Sequence, residues 1–296
     1  MNNKFYGVYP ALITPFDEKE KVDEKRLRKL VNFLISNRVN GLYICGGTGE
    51  GLLMDVSERR LVAEIVKDEV KEEVKIIAQV GTYNTHSAIE LSKHAEKIGL
   101  DAISSLPPLY YRYSFSEIYD YYAKLSRATS LPLFIYYIPV TTGIFLPNEK
   151  LVKLGEIENI IGIKYTHSDF YLLQDLLQRL EGKWIAFSGP DELFLPALTM
   201  GVAGCIGSTQ NILPDIFVKI YNYFHQGRIK EAMELQSKIT RIISLLKASG
   251  GQPAWKAALK LRGIDAGYCR APFRRKLSDE EENTLFKKWK EIFPTD

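Results

Sequence analysis

Residues 161–166 read Ile-Gly-Ile-Lys-Tyr-Thr. The β-branched residues predict a short buried strand over 160–166, followed by a helical run at 168–180. Lys164 sits inside that strand. Side chains alternate along a strand, so Gly162, Lys164 and Thr166 share one face and Ile163 and Tyr165 the other. A lysine on a buried face is costly to keep charged. Its amine pKa falls, and the neutral nitrogen becomes a nucleophile suited to a Schiff base. The alternative is a lysine that snorkels from a strand end to solvent.

The same reading extends outward to either side. Further strands are predicted at 7–13, 41–45, 75–80, 101–105, 133–138, 184–188 and 203–207. Helices are predicted at 23–37, 57–70, 85–98, 115–128, 147–154, 191–200 and 214–225. Asp23 is the expected cap of the first helix, Ser57 that of the second with a polar face at Arg59, Arg60 and Glu64, and Pro147 opens the fifth. Eight evenly spaced strand–helix units with no break in composition imply an α/β fold with a parallel sheet closed into a (β/α)8 TIM barrel, whose usual size is about 250 residues. An open doubly wound sheet is the competing arrangement. The expected division is 1–226 for the barrel and 227–296 for a C-terminal helical extension, with helical pieces at 229–248, 255–261 and 278–293.

Composition narrows the function. The 296 residues are 46% hydrophobic and 25% charged with a net charge of +3, too balanced for a nucleic-acid or membrane surface. No apolar run approaches the ~18 residues of a membrane helix. The three cysteines and four histidines are scattered without metal-ligand spacing, so no metal is expected and a reducing cytoplasm is the expected location.

Barrel enzymes carry their chemistry at the C-terminal ends of the strands. Tyr136 and Tyr137 end strand five, and only one of them can point inward beside Lys164, as a proton relay or as packing. Gly46–Gly51 is a glycine-rich turn, with neither P-loop nor dinucleotide spacing. Its bare backbone N–H groups, Gly47 among them, and the Thr48 hydroxyl can hold a carboxylate. Asp191 and Glu192 follow strand seven, either as favourable charge at a helix start or as acceptors for substrate hydroxyls. Gly207 and Ser208 end strand eight at the same mouth, and Tyr110 belongs to a polar–aromatic loop, a candidate subunit contact or proton relay.

These stretches together resemble the dihydrodipicolinate synthase / N-acetylneuraminate lyase family of pyruvate-dependent class I aldolases. The resemblance is carried by GVYPALITPF (7–16), GGTGE (46–50), YYIPVTTG (136–143), GIKYTHSD (162–169), GPDE (189–192) and GCIGS (204–208). It implies a (β/α)8 barrel, a homotetramer, no cofactor, a Schiff base between Lys164 and pyruvate, proton relay by Tyr136, and a pyruvate carboxylate on Thr48. The synthases carry an arginine where this chain has Val140-Thr141-Thr142, so no fork for a second carboxylate is present. The sialic-acid-cleaving branch is closer. It implies N-acetylneuraminate as substrate, N-acetylmannosamine and pyruvate as products, and Thr166, Gly189, Asp191, Glu192 and Ser208 around the hydroxylated tail. Two departures stand out: Gly47 where that branch carries serine or threonine, and Tyr137 where it carries asparagine. The alternatives are an aldolase for a 2-keto-3-deoxy sugar acid, a dihydrodipicolinate synthase, or a binding protein without turnover.

Overall fold

The computed structural model describes residues 5–294; the ends of the expected 1–226 and 227–296 division, residues 1–4 and 295–296, lie outside them. Within that range, parallel strands β1 (Gly7–Pro10), β2 (Gly41–Ile44), β3 (Lys75–Gln79), β4 (Ala102–Ser105), β5 (Leu133–Tyr137), β6 (Ile160–Tyr165), β7 (Ile185–Ser188) and β8 (Gly204–Gly207) form one sheet in the order β1-β8-β7-β6-β5-β4-β3-β2. A parallel bridge between Ala11 and Tyr43 and the bond from Leu12 N to Tyr43 O (2.8 Å) seal β1 against β2. The barrel of the sequence reading is therefore present, and the open sheet is not.

The surrounding helices are α1 (Glu24–Ser36), α2 (Val56–Val70), α3 (Thr85–Lys97), α4 (Phe115–Ala128), α5 (Pro139–Thr142), α6 (Asn148–Leu154), α7 (Phe170–Arg179), α8 (Phe194–Thr199) and α9 (Pro214–His225). The extension carries α10 (Ile229–Ala248), α11 (Gln252–Ala258) and α12 (Asp279–Ile292). Asp23 caps α1 as expected, accepting from Arg26 N, while Leu27, Leu30, Val31 and Leu34 are buried. Other boundaries differ. The first strand stops at Pro10, because the chain beyond it leaves the sheet apart from the Ala11 bridge. The cap of α2 is Asp55, not Ser57: Asp55 accepts from Glu58 N and Glu58 reaches back in a capping box. Arg59 is not on a polar face but 3% exposed. Pro147 precedes α6 as its cap rather than opening it. The expected helix 191–200 is a 3-10 turn at Asp191–Leu193 followed by α8.

Alternation divides the core into two layers. Ile135, Tyr137, Ile163 and Tyr165 face the helices, and Phe134, Tyr136, Phe187, Tyr9, Tyr43 and Ile77 fill the barrel. The interior is aromatic, with edge-on pairs such as Tyr9–Phe187 at 5.0 Å and Phe5–Phe134 at 5.4 Å.

One irregularity positions the chemistry. Leu133 pairs with Ile160, but Phe134 pairs with Gly162, so Ile161 is an inserted residue in β6. The inserted residue moves the pairing on by one, and Tyr136 comes opposite Lys164.

Candidate active site

Lys164 points into the barrel and is 4% exposed. Its Nζ lies 4.0 Å from the Tyr136 ring centre and 4.1 Å from that of Tyr43. The two rings meet edge-on, 5.9 Å apart. Among the described residues no carboxylate pairs with the amine. Desolvation pulls its pKa down to about 7, against an upward pull from the more distant Asp191. At neutral pH a large share of Lys164 is therefore the free amine, the form that attacks a carbonyl.

Tyr136 is the inward tyrosine. Burial pushes its phenol up to about 12, with the nearby Thr166 hydroxyl acting the other way. It therefore stays protonated through the neutral range. Thr166 Oγ1 itself is buried without a hydrogen-bond partner; it lies close enough to influence Tyr136 but forms no well-shaped bond. Such a stranded hydroxyl suits a ligand oxygen. Tyr137 faces outward, its ring stacked on Tyr165 at 5.5 Å.

The glycine-rich turn comes to the same mouth. Thr48 Oγ1 and Ser208 Oγ are 2.6 Å apart, joining the loop after β2 to the end of β8. At Gly47 an added Cβ would meet nothing within 4 Å. Gly47→Ser is therefore expected to fold normally and to raise turnover roughly two- to tenfold, the worth of one added hydrogen bond. Steady-state kinetics of the variant would show it; unchanged or lower turnover contradicts it.

Asp191 is also buried. Its oxygens accept from Thr209 N (2.7 Å) and Gln210 Nε2 (2.9 Å), and desolvation raises its pKa to about 6. A Cβ at Gly207 would fall 1.7 Å from Asp191 Oδ1, and one at Gly189 1.9 Å from Thr166 Oγ1, so both glycines are required by close approach. Glu192 is more exposed and pairs with Lys247 at 2.8 Å. The structure thus gathers Lys164, Tyr136 and Thr166 in the barrel and Thr48 with Ser208 at its rim, whereas Asp191 and Glu192 already hold protein partners. Tyr110 is 85% exposed and lines a cavity of about 380 Å³ together with Gly47, Gln79, Tyr83 and Tyr136.

Two contributors escaped the sequence reading. Tyr43 forms the second wall around the amine, and its inward direction follows from alternation in β2 once that face is known to be interior. Gln79 is the other. The buried Arg59 donates to Gln79 Oε1 (2.8 Å), to Gln79 O and to Gly81 O (3.1 Å). An arginine only donates, so the amide oxygen must face it and the Gln79 –NH2 turns away. Nothing in a helix-surface pattern signals that an arginine will be buried. Among the described residues no group of three or more His, Cys, Asp or Glu stands together as a metal-ligand set.

A buried neutral amine beside a protonated phenol, at the C-terminal mouth of a (β/α)8 barrel, has the make-up of an imine-forming aldolase site. Residues 4–292 match the dihydrodipicolinate synthetase family, and the chain belongs to that family. It is 40% identical over 270 residues to the N-acetylneuraminate lyase of Fusobacterium nucleatum, covering 91% of this chain and 93% of the relative. The structure of CdNal from Clostridium difficile in complex with mannosamine superposes with a TM-score of 0.94 at 37% identity, covering 98% of this chain and 99% of that one. The Fusobacterium lyase complexed with pyruvate gives a TM-score of 0.92 at 37% identity, with 99% of each chain covered.

Proposed function

We propose that this chain is a Schiff-base lyase that cleaves N-acetylneuraminate reversibly to N-acetylmannosamine and pyruvate. The observation that carries the reading is the Lys164 amine, buried between Tyr43 and Tyr136 with its pKa near 7. The similarity to N-acetylneuraminate lyases along almost the whole chain supports the choice of substrate.

In this scheme Lys164 attacks the C2 ketone of the open-chain sugar acid, and loss of water leaves a protonated imine. The C3–C4 bonding pair moves into that imine as C4 becomes the aldehyde of N-acetylmannosamine. The C4 hydroxyl proton leaves by way of Tyr136, which takes it as it passes its own proton to the substrate carboxylate. The resulting enamine is protonated at C3, and water releases pyruvate and the free amine. The Thr48 hydroxyl and the backbone N–H groups of the turn around Gly47 hold the carboxylate. The stranded Thr166 hydroxyl, Ser208, Asp191, Glu192 and the narrow backbone at Gly189 and Gly207 surround the hydroxylated tail, where a site built to bond hydroxyls rejects analogues that lack them. The protonated imine on Lys164 is the electron sink, so the scheme draws on no metal or organic cofactor.

The test is pyruvate release from N-acetylneuraminate by the purified protein. Release is expected; release from a 2-keto-3-deoxy sugar acid instead would overturn the substrate.

Residues 1–226 make the catalytic barrel in this reading and 227–296 the extension. Exposed Tyr83, Tyr110 and Tyr111 support assembly as a homotetramer, with Tyr110 at a subunit contact or relaying protons; sedimentation at monomer mass would contradict it. The free, buried Cys45, Cys205 and Cys269 fit a cytoplasmic setting, which cell fractionation would check. No helix of the described residues is long and apolar enough to cross a membrane.

A further inference from the structure

The extension buries polar side chains that an apolar cover would not need. Gln236 on α10 and Lys256 on α11 are 8% and 3% exposed. Each of them, together with Gln252, reaches a loop at the mouth of the barrel.

Lys256 Nζ donates to Glu50 Oε1 (2.7 Å), to Thr14 O (2.8 Å) and to Tyr268 O, so all three of its donor positions are taken. Desolvation lowers its pKa, and the Glu50 charge opposes that. The other Glu50 oxygen accepts from Arg270 N at 2.7 Å. Glu50 closes the glycine-rich turn and sits at φ 57°, a left-handed conformation that a non-glycine residue keeps only when its surroundings enforce it. A buried ion pair contributes little net stability, but removing one partner leaves an uncompensated buried charge and is strongly unfavourable. At Thr48, two residues before Glu50, the backbone carbonyl accepts from Gln252 Nε2 at 2.6 Å. On the opposite side of the mouth, Gln236 Nε2 donates to Asp191 O (3.1 Å) and Gln236 Oε1 accepts from Leu195 N (3.0 Å).

We propose that the extension is a working part of the site: Gln252 and Lys256 are positioning residues that set the carboxylate-holding turn at Gly47 and Thr48, and Gln236 does the same for the Asp191 loop. None of the three needs to touch substrate. The turn is held from three directions, by Ser208 at the Thr48 hydroxyl, by Gln252 at the Thr48 carbonyl and by Lys256 at Glu50. The inference rests on the imine reading, with Thr48 at the carboxylate end of the bound keto acid.

Borohydride trapping on the full-length chain tests it, with pyruvate and hydroxyacetone as paired probes. Both ketones can form the imine, but only pyruvate has a carboxylate for the turn. Gln252→Leu is expected to raise the pyruvate concentration for half-maximal trapping about three- to tenfold, the worth of one net hydrogen bond. The value for hydroxyacetone is expected not to move. Gln252→Lys, which returns a donor to Thr48 O, is expected to recover most of the preference. A purely structural role would shift both ketones together or neither, and either result overturns the proposal. A wild type that traps pyruvate but leaves N-acetylneuraminate intact sinks the substrate reading alone, while the paired trapping still decides the positioning role. A wild type that traps neither ketone overturns both.

Discussion

Lys164→Ala is expected to remove turnover of N-acetylneuraminate by at least about 10⁴-fold, the scale seen when a covalent nucleophile is deleted, and to abolish borohydride trapping of pyruvate. The barrel should survive the change. The amine makes no hydrogen bond or ion pair among the described residues, and it lies over the rings of Tyr43 and Tyr136. Its pKa of about 7 against the usual 10.5 also gives the variant a pH signature. Between those values the unfolded chain holds a proton on Lys164 that the folded chain does not. Wild-type stability therefore rises with pH across that window through this group. Below about pH 7 both states are protonated and the cost of burying the charge is fully present. The stability of the variant relative to wild type is thus expected to be most favourable near pH 6 and to decline toward pH 10. Melting curves at both pH values would check this. For wild type, kcat/KM is expected to fall tenfold per pH unit below about 7, as the amine protonates. A Lys164→Ala protein that still releases pyruvate at a near-normal rate would end the scheme.

The barrel was readable because its signals are local and repeated: short β-branched runs, helical spacing and turn residues recur at even intervals. Lys164 stood out for a similar reason, as a charge within an apolar strand. Less of the surrounding site could be read, because it depends on long-range placement. The Thr48–Ser208 contact joins residues 160 positions apart, and Gln252 reaches Thr48 across 204. Arg59 reads as surface charge in the sequence, but its guanidinium is taken up by Gln79 at the top of β3 and by Gly81 O just beyond it. The cap of α2 was misplaced by two residues because serine and aspartate both suit that position, and only the capping box with Glu58 decides between them.

Tyr136→Phe is expected to lower kcat by about a hundredfold or more, the usual contribution of a placed acid–base group. The substitution leaves the ring over the Lys164 amine and its edge contact with Tyr43, and removes only the hydroxyl. Pyruvate trapping should therefore persist, more slowly, with little change in stability. The fall of kcat/KM below pH 7 should also remain where it is, because that limb belongs to Lys164 and the phenol titrates near 12. The informative control is the neighbouring Tyr137→Phe. Tyr137 stacks on Tyr165 behind the strand, its hydroxyl 3.4 Å from Leu146 O, so turnover should be nearly unaffected. The contrast depends on register. If the pairing of Leu133 with Ile160 ran on without the extra residue at Ile161, Tyr137 would stand opposite Lys164 in place of Tyr136. Equal losses from the two variants would mean that this register is wrong. A loss confined to Tyr136 would tie the chemistry to a single inserted residue in β6.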